Sequence, residues 1–205
     1  MPSIDVHVCL LPPINNSWLG RCLSSLRDEP VNIHLTEGIK GNTSEARTKA
    51  FHIGAAPYVS FIDPDDYIYP GVYSVLLEML TSNPDAVMAY SDEMLITPEG
   101  EFHCFGWSIN PEPFLAENFP IHIHEINGHY IHHLRLMRRD AVMKCLPLKT
   151  KRAPEPVLMS DLYSLGDFMH LHELGYAWRI HHTNTFKEYT QEEIDEVVYL
   201  KSLNC

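Results

Sequence analysis

The order of elements in the first 90 residues constrains the fold most. Ile4 to Leu11 is an aliphatic, alternating run of the kind that forms a strand, and Pro12 and Pro13 stop it. Asn16 then caps a helix with Trp18, Leu19, Cys22, Leu23 and Leu26 at helical spacing. Val31, Ile33 and Leu35 mark a second strand, and Glu37 to Asn42 reads as a loop. Ser44 caps a helix through Ala46, Ala50 and Ile53 that ends near Gly54, and Tyr58 to Ile62 is a short buried strand. Pro70 and Gly71 open a helix closed at Asn83-Pro84, before a strand from Ala86 to Tyr90. The β-α-β-α-β-α-β order predicts a mostly parallel sheet with helices on both faces. Ligands of such sheets sit beyond the carboxyl ends of the strands, here Leu11 to Pro13, Glu37 to Asn42 and Asp63 to Asp66.

The third loop carries the strongest chemistry. A buried strand delivers Asp63, Asp65 and Asp66 into one turn, and three such charges repel unless a cation or hydrogen bonds compensate. Oxygen ligands of this kind suit Mg²⁺ or Mn²⁺, which also take diphosphate oxygens. The chain has no P-loop, GxGxxG or GxSxG, which weakens kinase, dehydrogenase and hydrolase readings.

The second half is less regular. Residues 97 to 121 read mostly as loop, His129 to Met143 as a helix and Lys149 to Pro156 as a mobile connection. Ser160 to Leu174 reads as a helix, Tyr176 to His181 as a strand, and Thr190 with Glu193 as the capping box of a last helix. At 205 residues the chain suggests one domain. The lack of a signal region and five irregularly spaced cysteines point to a reduced, cytoplasmic protein, and no run is long enough to span a membrane. Net charge is −12, yet residues 129 to 152 hold seven of the 15 basic side chains against one acid, Asp140. That window reads as a solvated face or as a site for an anionic acceptor. Thirteen histidines raise the question of zinc, with His129 and His133 at i, i+4 and His122 and His124 at i, i+2, but no spacing completes a recognisable site.

Four blocks carry a family resemblance. They are Ala46-Arg47 with Asp63 to Asp66; Tyr90-Ser91-Asp92-Glu93 with Pro98-Glu99-Gly100; His132 to Asp140; and Ser160-Asp161 with Leu174-Gly175-Tyr176. Together they resemble GT-A fold glycosyltransferases, particularly glycosyltransferase family two. The resemblance implies an α/β, GT-A-like domain over residues 1–205. Its nucleotide-sugar-binding half spans about 1–95, its acceptor half about 96–185 and its C-terminal helix 186–205.

The resemblance also implies a metal-dependent, inverting transferase using a nucleotide-diphosphate sugar, a UDP-sugar first. Asp65 is then the direct metal ligand, with Asp63 on metal or ribose and His181 or His182 completing the shell. Arg47 meets the donor phosphates, Pro12 and Glu37 border base and ribose, and Asp161 is the catalytic base with Asp167 as runner-up. Asp92, Trp107, Arg138 and Arg139 fall on the acceptor side. The acceptor is expected to be a saccharide, with hydroxymethylated DNA as the alternative that the basic window keeps open. A nucleotide-sugar-binding module without turnover and a nucleotidyltransferase are the readings from other classes.

Overall fold

The computed structural model describes residues 3–105, 125–126, 129–131, 133–182, 184 and 190–202. In order they form β1 (Ile4–Leu10), α1 (Asn16–Ser25), β2 (Val31–Glu37), α2 (Thr43–Phe51), β3 (Tyr58–Phe61), β4 (Tyr67–Ile68), α3 (Val72–Ser82), β5 (Ala86–Ile96) and β6 (Phe102–Phe105). There follow β7 (Glu125–Ile126), β8 (His129–Tyr130), β9 (Arg135–Arg138), α4 (Arg139–Lys144), α5 (Pro154–Tyr163), β10 (Asp167–Arg179) and α6 (Gln191–Ser202).

The main sheet has the order β2-β1-β3-β9-β5-β10-β4, with β6 also on β5. The pairs β1–β2, β1–β3 and β5–β10 are parallel, as the alternating pattern requires. The sheet is nonetheless mixed, because β9 inserts antiparallel between β3 and β5. Two apolar layers flank it. Ile4, Val6 and Val8 of β1 pack with Cys22 and Leu26 of the α1 side and with Tyr73, Leu76 and Leu80 of α3. On the other face Ala50 and Phe51 of α2, Ala141 and Val142 of α4, and Leu158, Met159 and Leu162 of α5 cover Val59, Phe61, Met88 and Tyr90.

Several expectations are corrected. The side chain of Asn15, not Asn16, caps α1 by accepting from the Ser17 and Trp18 amides, and Asn42, not Ser44, caps α2. Residues 129–143 are not one helix, because Arg135 to Arg138 pair between two strands and helix begins only at Arg139. Residues 160–174 are not one helix either. The helix runs from Pro154 to Tyr163, beginning inside the expected connection, and β10 begins at Asp167 against the long strand β5. Here the parallel ladder overrides a helical periodicity.

A polar network lies under the α2 side of β1. Asp5 is 1% exposed and accepts from Asn32 Nδ2, His34 Nε2 and the Ala56 amide, each at 2.9 Å, and from Arg139 Nη2 at 2.6 Å. Burial raises its pKa, but the bonds from His34, Asn32 and Ala56 outweigh burial and hold it at about 2. Gly54 is required beside it. Its φ is +86°, and a Cβ there would lie 2.1 Å from Asp5 Oδ2.

Replacing Asp5 should therefore leave the Arg139 guanidinium, which is largely buried, without its counter-charge. We expect urea melts of Asp5→Ala at neutral pH to show a loss of about 3 kcal/mol. Because the folded pKa is depressed, this stabilisation is present above the unfolded value and is lost as pH falls through about 2. A loss below about 0.5 kcal/mol would show that the network is not a structural anchor.

Candidate active site

The carboxyl ends of β1, β2, β3 and β10 converge on one edge. Leu10 pairs with Glu37, and the Gly38 amide donates to Leu10 O at 2.8 Å, so Pro12 and Glu37 flank adjacent strand ends, both exposed. After β3 the chain turns through Asp63 to Asp66, with the Asp66 amide donating to Asp63 O at 3.1 Å.

Asp66 fixes that turn to β10. It is 1% exposed and accepts from Tyr176 Oη and from the Arg179 amide, each at 2.7 Å. Burial, followed by the charges of Asp65 and Asp63, drives its carboxyl pKa well above the ordinary range. The buried Arg179 side chain donates to the carbonyls of Asp65, Thr97 and Pro98 at 2.8, 3.0 and 2.7 Å. These bonds bring the end of β10 against the turn. His181 Nε2 thereby lies 2.6 Å from Asp65 Oδ2, with the Trp18 ring 4.9 Å from the imidazole. His182, the alternative ligand, is exposed.

Asp63 faces the opposite way. Its Oδ1 accepts from Arg47 Nη2 at 3.2 Å, and its Oδ2 lies 3.9 Å from His133 Nε2. Arg47 is 7% exposed, sits 4.4 Å from the Phe61 ring centre and is also ion-paired to Glu155. His133 stacks on Tyr176 at 4.7 Å and lies 3.8 Å from the buried Glu93. Arg135 is buried beside this cluster, and burial followed by the charge of Arg47 lowers its pKa to about 10.

The structure thus brings together Pro12, Glu37, Arg47, Asp63, Asp65 and His181. It separates the candidate bases. Asp161 lies near the end of α5 and pairs with Lys149 Nζ at 2.7 Å. Asp167 opens β10 at the sheet's other end, its amide bonded to Asp85 O, twelve strand steps before Arg179. At ~3.3 Å per step it stands tens of ångström from Asp65. The α5 carboxylate that faces the cluster is Glu155, in the helix's first turn. Asp161 follows six residues later, rotated by roughly 240° about the helix axis. Pro154 and Glu155, a proline and an acid at a helix start, were the signal for this helix. The contacts of His133 and Glu93 are long-range, and although both residues fall in blocks that carry the resemblance, neither was singled out.

The basic window does not form a face. Arg135 is buried in β9. Arg138 donates to the carbonyls of Ala86 and Leu80 at 2.7 Å each, and Arg139 to those of Ala56 and Phe51 at 2.6 and 2.7 Å. Both belong to the amino-terminal edge of β3 and β5, away from the acidic turn. Lys149 and Arg152 pair with Asp161 and Glu193. Because β9 is a strand, Arg135, Arg138 and Arg139 do not share a helix face. Asp92 lies against His170, its Oδ1 2.7 Å from Nε2. Trp107, His122 and His124 lie outside the described residues.

No protein-family model matches the chain. An uncharacterized protein, y4gI, of Sinorhizobium fredii is 30% identical over 88 residues, which are 42% of this chain and 10% of that protein. Crystal structures of S. aureus TarS, a glycosyltransferase, share the fold. Residues 1–349 of TarS in complex with UDP-GlcNAc superpose with a TM-score of 0.67 at 12% identity, over 98% of this chain and 66% of that one. A longer TarS structure gives 0.67 at 15% identity, over 98% and 39%. The chain thus spans about a tenth of the curated relative and about two thirds of residues 1–349 of TarS. It has an α/β, GT-A-like fold. No helix among the described residues is long and apolar enough to cross a membrane.

The acidic turn predicts a split between neighbours. Asp66→Ala strands the buried Arg179 amide and Tyr176 hydroxyl and should cost about 2–4 kcal/mol in urea melts. Asp65→Asn, at a partly exposed position, should stay within about 1 kcal/mol of the parent. Equal losses at both positions would contradict this division of roles.

Proposed function

We propose that this chain binds a nucleotide-diphosphate sugar, a UDP-sugar first, and transfers its sugar with inversion to an acceptor hydroxyl, most simply of a saccharide. The convergence of Arg47, Asp63, Asp65 and His181 on the carboxyl edge of a GT-A-like sheet carries the reading. Solved neighbours that bind UDP and UDP-GlcNAc support it.

The donor atoms fit a divalent ion. Cis ligands of an ion with ~2.1 Å bonds lie about 3 Å apart, so Asp65 Oδ2 and His181 Nε2, now at 2.6 Å, need to open only slightly. Carboxylate with imidazole suits Mn²⁺ better than Mg²⁺. Asp65 and His181 would hold the ion, which would neutralise the departing diphosphate, while Asp63 is turned to Arg47 and His133 and stands outside that pair. Arg47 presents two guanidinium edges, now taken by Asp63 and Glu155, that suit a bidentate phosphate contact. Pro12 and Glu37 border the base and ribose. When Arg47 turns to the phosphates, Glu155 is released from its ion pair and is placed to take the acceptor hydroxyl's proton. Asp161, held by Lys149, is the less favoured base. Arg138 and Arg139 bond carbonyls and Lys149 and Arg152 pair with Asp161 and Glu193, which supports a saccharide over DNA as the first acceptor to test.

Asp65→Asn should weaken Mn²⁺-dependent UDP binding at least tenfold by calorimetry while the fold persists. Unchanged affinity would misplace the site. Incubation with a panel of UDP-sugars and saccharides, read by mass spectrometry, should show sugar transfer or donor hydrolysis. Binding without turnover would indicate a binding module, and pyrophosphate release a nucleotidyltransferase.

The base makes a separate prediction. Glu155→Gln should keep UDP binding and lower turnover by about 10²–10⁴-fold, with Asp161→Asn within a few-fold of the parent. The reverse ranking would return the role to Asp161.

A further inference from the structure

We infer a second metal site, for a divalent transition ion of the zinc class, formed by Asp92, His170 and His172. One ligand atom of each lies within 4.8 Å of the other two, and this is the set of three or more such groups found among the described residues. The three sit on adjacent parallel strands. Asp92 Oδ1 is 2.7 Å from His170 Nε2, and the imidazoles of His170 and His172 lie 3.9 Å apart between centres. His170 and His172 alternate on β10 and so leave the same face.

The scaffold around them is graded in rigidity. Asp92 is buried, and His170 lies flat on the Tyr90 ring at 4.5 Å with the planes 7° apart. Two ligands are therefore held by packing. The third, His172, is exposed, and the β5–β10 register shifts between Leu171 and Leu174. An irregularity of this kind re-aims side chains and lets His172 swing onto an ion already seated on the other two. Solvent reaches the set from that side.

Two imidazoles and one carboxylate favour zinc-class ions over Mg²⁺ or Ca²⁺ and leave a position for water or a ligand. The site is separate from the donor turn. Asp92 and Glu93 are consecutive in β5, so their side chains leave opposite faces, and Glu93 is the one beside His133 and Asp63. An ion here would fasten β10 to β5 where their ladder is irregular, and it does not depend on the glycosyl-transfer reading.

The test uses the untagged chain, stripped of metal and titrated with Co²⁺ while visible d–d absorption is followed, then with Zn²⁺ in competition. The parent and Asp65→Asn should each take up one tightly held equivalent that Zn²⁺ displaces, with a rise in melting temperature on Zn²⁺ addition. His172→Ala, at an exposed position that leaves the fold intact by circular dichroism, should weaken uptake at least about tenfold, since even partners of metal ligands cost that much. Asp92→Asn should do the same. No uptake by the parent, equal affinity in His172→Ala, or loss of the equivalent in Asp65→Asn would overturn the site.

Discussion

The buried carboxyl of Asp66 is the joint on which this site depends. The Tyr176 hydroxyl and the Arg179 amide both donate to it, and Arg179 reaches on to the carbonyls of Asp65, Thr97 and Pro98. A turn after β3 is thereby tied to the end of a strand more than 100 residues later. Without that tie His181 has no reason to meet Asp65. The group that makes the joint is unsuited to metal, because it is enclosed and its pKa is driven upward by burial and by its neighbours. Asp63 and Asp65 remain partly exposed and point to different partners. Three carboxylates in four residues thus divide the work, with one holding the turn and two facing Arg47 and His181.

The opposite edge of the sheet shows the complementary use of charge. Arg138 and Arg139 satisfy carbonyls at the ends of α2 and α3 and the entry to β5, and Arg139 also neutralises Asp5. Planar guanidinium groups serve this purpose well, since each spreads several donors over a fixed fork. The cost is that they are unavailable to a partner. Two members of the basic cluster in the sequence, Arg138 and Arg139, are in this fold internal wiring.

How much was legible in the sequence follows from the range of the interactions. The βαβ half could be read because apolar period and breakers act locally, and its strand ends placed the acidic turn at the ligand edge, whereas Arg47 was legible only through resemblance. Cap positions slipped by one residue in α1 and by two in α2, where neighbouring polar residues compete for the same amides. The second half was misread where pairing overrode periodicity. Arg135 to Arg138 form a strand because β3 and β5 flank them, and His170 and His172 lie on β10 because β5 extends to Ile96. His181 was legible as a candidate only through resemblance. Glu155 was missed inside a segment read as a connection, although a proline and an acid at a helix start were present there.

The most direct test of the account is a crystal structure of the chain with UDP and Mn²⁺, using anomalous scattering to place the ion. The account predicts an anomalous peak bonded to Asp65 and His181 and to the diphosphate, the uridine against Pro12 and Glu37, and Arg47 turned from Glu155 onto phosphate. A manganese peak or a nucleotide elsewhere on the molecule, with Asp65 and His181 still hydrogen-bonded to each other, would contradict it.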